Sequence, residues 1–183
     1  GVGVVSTKGK CSGLAQVLYE DAAKSSWVGS WDGWLTRIQH PESPRTARHT
    51  TFRTKPNAPY SIASDIVYTI RQDAVSGDLW VGGRYGLSIL KKPFEKGHFE
   101  NYVFDGKVGN LTNNDISDIY QDENSVMWLA TIGGGLCKVD LKKASTILYD
   151  PLSRIATGLN TSYDMAVHAE GNGRLWPGLN ING

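Results

Sequence analysis

Short runs of alternating apolar and polar residues recur along the chain. In the run Asp65–Asp73, Ile66, Tyr68 and Ile70 alternate with smaller or polar residues, the period of a half-buried β-strand. Ser76-Gly77-Asp78 then supplies a hairpin turn. Leu79–Gly82 predicts a second strand, Arg84-Tyr85-Gly86 a turn, Leu87–Lys91 a third strand, Pro93–Gly97 a loop and Phe99–Phe104 a fourth strand. Strands this close in sequence pair most simply as an antiparallel meander.

The same pattern occurs four times. Trp27, Trp80, Trp128 and Trp176 follow one another at 53, 48 and 48 residues. An acidic residue (Asp21, Asp73, Asp122, Glu170) precedes each Trp by six or seven positions, and a Gly (Gly33, Gly86, Gly135, Gly183) follows it by six or seven. A single four-stranded sheet cannot bury both faces, whereas sheets stacked around an axis can. The expected fold is therefore all-β, with β-propeller blades that are each a four-stranded antiparallel meander. About three and a half to four such blades fit the length, as part of a larger propeller. The expected division is a partial blade or closing strand at 1–14, blades at 15–64, 65–114 and 115–161, and a partial blade at 162–183. Each Trp should then fill the space between neighbouring sheets, with glycines beside it allowing close approach.

Two irregularities stand out. The interval after the first copy is five residues longer, and Gln39–Asn57 is polar and holds three of the seven prolines, which predicts a long mobile loop. Pro177 replaces the β-branched residue expected in its strand and removes one backbone donor. The chain starts on Gly1-Val-Gly-Val-Val, which reads as an internal start; any export signal is expected upstream. The start and end fall at nearly the same phase of the repeat. Either the first strand completes the last blade and closes a ring, or the chain is an open arc with exposed edges prone to self-association. The open arc is the expectation.

Composition narrows the partners. The 19 basic and 18 acidic residues leave a formal charge of +1, which gives no electrostatic reason to expect nucleic acid. No run is apolar enough to insert in a membrane. Two cysteines, Cys11 and Cys137, are too few for a disulfide framework, and Cys137 is expected as a buried strand thiol. His40, His49, His98 and His168 show no metal-ligand spacing. No nucleophile elbow, phosphate loop or metalloprotease motif occurs. The expectation is no catalytic residues, no metal and no cofactor. The recurring acids are expected to form turns through backbone N–H groups rather than to act as glycosidase carboxylates.

The repeat resembles the two-component regulator propeller family. Asn110-Leu-Thr-Asn-Asn-Asp-Ile-Ser-Asp-Ile-Tyr-Gln-Asp122, Met127-Trp-Leu-Ala-Thr131 and Gly134-Gly-Leu136 carry the likeness, with Asp78-Leu-Trp-Val-Gly-Gly83 and Arg174-Leu-Trp-Pro-Gly178 close behind. The resemblance implies a non-enzymatic, periplasmic or otherwise extracytoplasmic sensor region of a bacterial hybrid two-component system, often responsive to oligosaccharides. Alternatives are a propeller accessory region of a secreted carbohydrate-active enzyme, or a plain protein-interaction scaffold.

Topology places the candidate site. In a meander, turns between the second and third strands share a face with the loops that lead to the next blade. That face should collect Trp31, Asp32, Arg84, Tyr85, Ile132 and Asn180 from turns, and Asn57, Tyr60, Asn113, Asn114, Asn160 and Tyr163 from loops. The ligand-binding candidates are Trp31, Asp32, Arg84, Tyr85, Asn113, Asn114 and Asn180. Aromatic rings with Arg and Asn suit an oligosaccharide by stacking and directional hydrogen bonds, and suit a protein partner as well.

Overall fold

The structure is a computed structural model that describes residues 14–31, 33–43, 45–103 and 113–140, together with strands 145–149, 164–169 and 175–179. The first sheet holds β1 (Ala15–Glu20), β2 (Ser26–Ser30), β3 (Leu35–Gln39) and β4 (Arg48–Phe52). The second holds β5 (Val67–Gln72), β6 (Leu79–Gly83), β7 (Gly86–Leu90) and β8 (Phe99–Tyr102). The third holds β9 (Ile116–Gln121), β10 (Val126–Thr131), β11 (Gly135–Asp140) and β12 (Ser145–Tyr149), and β13 (Asp164–Ala169) pairs with β14 (Leu175–Leu179). Every sheet is an antiparallel meander in chain order, as the alternation predicts. The first strands of successive sheets, β1, β5, β9 and β13, lie side by side, so each meander runs outward from a common axis.

The sheets cohere through apolar side chains at their interfaces. Trp27 is fully buried in a core completed by Val67, Ile70, Leu79 and Val81 of the second sheet. Trp80 lies with Ile116, Ile119, Met127 and Leu129 of the third. Trp27 and Trp80 thus each pack on the following blade, which is the role expected from the repeat. Burial of such side chains supplies roughly 25 cal/mol per Å² of apolar area, and no sheet could gain that alone.

Hydrogen bonds reinforce both ends of the two junctions among the first three sheets. At one end, the Ala22 N–H donates to Gln72 Oε1 and the Ala74 N–H to Gln121 Oε1, both at 2.8 Å. Gln72 and Gln121 occupy the same register position, the last residue of the inner strand. At the other end, the Trp34 N–H donates to the Asp65 carbonyl and the Gly86 N–H to the Asn114 carbonyl. Arg37 adds a third link between the first two sheets. Its buried guanidinium lies over the Trp27 and Phe94 rings and donates to Glu95 at 2.7 Å.

The recurring acids are turn-formers. Asp21 Oδ1 accepts from the Ala23 and Ser25 N–H groups, and its Oδ2 accepts from the Trp27 indole at 2.9 Å. Asp122 repeats this arrangement with Asn124, Val126 and the Trp128 indole. Asp73 differs, because it accepts from Val75, from Ser76 twice and from Gln121 of the next blade. Glu170 lies outside the described residues.

Asp73 has a pH consequence. Burial pushes its carboxyl pKa up, but the hydrogen bonds from Ser76, Val75 and Gln121 outweigh this and hold it below the ordinary carboxylate value. A carboxyl depressed in the folded state takes up its proton more readily once unfolded. Its stabilisation is therefore full above the unfolded value of about 3.9 and is lost as pH falls through the lower folded value. Thermal melts of the wild type and Asp73→Asn should show a stability gap that narrows as pH drops through this range. A gap independent of pH would refute the assignment.

Two sequence expectations need correction. Gln39–Asn57 is not one long loop, because it contains β4, which pairs with β3 from Leu35↔Phe52 to Gln39↔Arg48. Arg-His-Thr-Thr-Phe shows no apolar alternation because an edge strand exposes most of its side chains. Only Phe52 turns inward, stacked on Trp27 at 5.9 Å and edge-on to Phe99 at 5.5 Å. The predicted fourth strand of the second blade, Phe99–Phe104, ends at Tyr102. Cys137 is fully buried in β11; Cys11 and the closing-strand reading of 1–14 fall outside the described residues, except for Leu14.

Candidate functional site

A bulge recurs in every inner strand. The partners jump between Ala15 and Val17, between Val67 and Thr69, between Ile116 and Asp118, and between Asp164 and Ala166. The extra residues are Gln16, Tyr68, Ser117 and Met165. A bulge kinks its strand and re-aims the extra side chain. Tyr68 accordingly stands outside the core that Val67 and Ile70 share with Trp27 and meets the Trp31 ring instead. All four bulges lie at the end of the inner strands where the turns between second and third strands emerge.

The bulge residues meet the turn residues there. Trp31 is half-exposed, its indole N–H donates to Gln16 Oε1, and its ring tilts on Tyr68 at 5.5 Å. Arg84 and Tyr85 are exposed neighbours, with the guanidinium 6.0 Å from the Tyr85 ring centre. Burial raises the Tyr68 phenol pKa, the Asp115 carboxylate raises it further, Arg84 opposes, and Tyr85 raises it slightly. These four groups therefore share one electrostatic neighbourhood. Asp115 Oδ1 is shielded from solvent and has no hydrogen-bond partner among the described residues. An acceptor left unpaired in this way is a local cost that the fold carries at this loop.

The candidates from the sequence divide. Trp31, Arg84 and Tyr85 lie around Tyr68, as described. Asn113 accepts the Asp115 N–H through Oδ1 at 2.9 Å, and the Asn114 carbonyl accepts the Gly86 N–H, so these two residues shape the loop beneath the cluster. Asp32 and Asn180 lie outside the described residues, as do Asn160 and Tyr163. Tyr60 is elsewhere: it stacks on His98 at 4.2 Å, and its carbonyl accepts the Phe99 N–H at the start of β8. The connection from β4 to β5 runs along the outer edge of the second sheet, where Asn101 Nδ2 donates to the Ser61 carbonyl, so Tyr60 ends at the opposite rim. Asn57 is exposed in that connection with φ 60°.

Gln16 and Tyr68 were not identifiable as site residues from the sequence, since bulge positions depend on strand pairing, and Asp115 was not because its neighbours come from the preceding blade. Trp34 is another addition to this face. It holds φ at 93°, where the second and third blades place Gly86 and Gly135, also at positive φ. A bulky residue there is strained by roughly 1–3 kcal/mol, and its ring carries the Arg53 guanidinium at 3.1 Å. Among the described residues, no group of His, Cys, Asp and Glu could hold a metal ion, and no helix is long and apolar enough to cross a membrane.

Stacked four-stranded meanders with inner strands around an axis define a β-propeller. Residues 110–133 match the family described as two component regulator propeller, so the third blade carries that repeat. Similar solved structures agree. The extracellular domain of a putative hybrid two component system from B. thetaiotaomicron has TM-score 0.75 and 17% identity, over 90% of this chain and 22% of that one. The extracellular domain of a putative one component system from the same organism has TM-score 0.64 and 16% identity, over 90% of this chain and 20% of that one. A catalytically inactive H270A virginiamycin B lyase from Staphylococcus aureus, solved with quinupristin, has TM-score 0.61 and 13% identity, over 92% of this chain and 50% of that one. At such identities the likeness establishes the fold. The chain spans about a fifth of the two extracellular domains. Among curated proteins, no sequence matches this chain.

Proposed function

We propose that the chain is a non-catalytic sensing region of a bacterial two-component regulator, placed outside the cytoplasm, and that its ligand is an oligosaccharide. The cluster of Trp31, Tyr68, Arg84, Tyr85 and Asp115 carries this reading. Exposed aromatic faces offer stacking surfaces for sugar rings, while the exposed Arg84 offers directional donors for hydroxyl groups. The family match in the third blade and the two extracellular domains of similar fold support the sensing role.

Calorimetry against a panel of oligosaccharides tests the proposal. A binding member of the panel should lose at least about 1 kcal/mol, roughly fivefold in affinity, with either Trp31→Ala or Arg84→Ala. A folded sample that binds no member, or binding untouched by both substitutions, would leave the protein-interaction scaffold as the better reading.

A further inference from the structure

We propose that Arg53, held on the Trp34 ring, is a subsite for an oxyanion carried by the ligand, either a uronic carboxylate or a sulfate ester. This assignment rests on the oligosaccharide reading above and makes the ligand an acidic oligosaccharide. Three contacts bring the pair to the candidate site. Trp34 follows Trp31 in the turn between β2 and β3, and its N–H donates to the Asp65 carbonyl. The Arg84 N–H donates to the next carbonyl, that of Ile66. Thr54, which follows Arg53, donates its N–H and its hydroxyl to the two Asp65 carboxylate oxygens at 2.8 and 2.9 Å. Trp34, Arg53 and Arg84 thus converge on one dipeptide, at the rim where Trp31 meets Tyr68.

Two observations point to a ligand rather than to the fold. The first is backbone strain. Trp34 holds φ at 93°, where the second and third blades have Gly86 and Gly135 at positive φ, so an indole stands where a glycine would relax the turn. The second is the state of the guanidinium. Arg53 is exposed and lies over the Trp34 ring at 3.1 Å, yet its guanidinium makes no hydrogen bond or ion pair among the described residues. Stacking occupies the face of the guanidinium and leaves its in-plane N–H donors open, the fork that matches the paired oxygens of a carboxylate or sulfate. Asp65, the neighbouring acid, is committed to Thr54 instead. The backbone is fixed on both sides of Arg53, by the Leu35↔Phe52 pair and by the Thr54 clasp, so little chain freedom is lost on binding. Blade packing leaves this rim open: Val103, the register equivalent of Arg53, is 49% exposed in a sheet with a neighbour on each side.

Calorimetry with matched sugars tests this. The probes are uronate oligosaccharides, the same oligosaccharides with their carboxyl groups reduced to alcohols, and sulfated forms of the reduced set. At least one acidic member should bind about tenfold more tightly than its neutral counterpart, and Arg53→Gln should abolish that difference. Whether the carboxylated or the sulfated set shows the preference identifies the group. Trp34→Gly should also weaken the preference, while melting at or above the wild-type temperature, because glycine adopts this φ without strain. Neutral and acidic members binding alike would overturn the acidic subsite alone, and no binding by any member would overturn the oligosaccharide reading with it. A preference that survives Arg53→Gln would also overturn the subsite. So would a lower melting temperature in Trp34→Gly, which would assign the ring to the fold.

Discussion

Replacing Trp80 with alanine is expected to destabilise the chain by about 3–5 kcal/mol, the range for removing a large aromatic residue from a core. Trp80 is 2% exposed and has core partners from both the second and third sheets. Its removal would leave a cavity between two rigid sheets, and the inner strands β5 and β9, held by the Gln121 bonds, limit how far they can close on it. Because each blade contacts only its neighbours, the damage is concentrated at one junction. Urea unfolding followed by circular dichroism should show a lower midpoint and a broader transition, as the third blade separates from the second. Trp31→Ala, which removes a half-exposed ring, should move the midpoint far less. Comparable losses from the two substitutions would contradict Trp80 as the inter-blade core.

Gly82→Ala is expected to cost about 1–3 kcal/mol, through overpacking. A Cβ at Gly82 would lie 2.6 Å from Thr69 Cγ2, 2.7 Å from Ile116 Cγ2 and 3.0 Å from Ile116 Cβ. Thr69 belongs to the neighbouring strand and Ile116 to the next blade, and both are buried and β-branched, so neither yields by turning a flexible chain end. Gly29 is equivalent, with Val67 Cγ1 at 2.5 Å and Val17 Cγ1 at 2.7 Å, and Gly29→Ala should cost a similar amount. The third blade carries Ala130 at this position, fully buried, so its spacing from the following strands accommodates a methyl group that the first two junctions do not. A Gly82→Ala protein with unchanged thermal stability would show that the sheets can move apart freely and would refute close approach as the reason for glycine.

The parts legible in the sequence were those that recur. The Trp positions, their acids and the turn glycines repeat in register, and one physical requirement, burying both faces of a small sheet, converts that recurrence into stacked blades. Asp21 and Asp122 were readable as turn-formers because an Asp ahead of a tight turn has backbone N–H groups within reach. Strand β4 was not readable, because its exposed side chains erase the alternation and only Phe52 marks an inward position. The clasps made by Gln72 and Gln121 were equally hidden, since each joins residues of different blades.

The site shows the same division. Trp31, Arg84 and Tyr85 could be assigned to one face because turn order in a meander dictates which end of the sheet they occupy. Tyr68 and Gln16 could not, since their direction follows from a bulge, and a bulge exists only in the pairing of two strands. The order of residues by itself determined the blade, its turns and the end of the sheet where its polar and aromatic turn residues emerge, because these follow from periodicity and short-range chain geometry. Tertiary structure alone decided which side chains meet there and which junction residues lock the blades, because contacts between distant segments depend on register and stacking that no local pattern records.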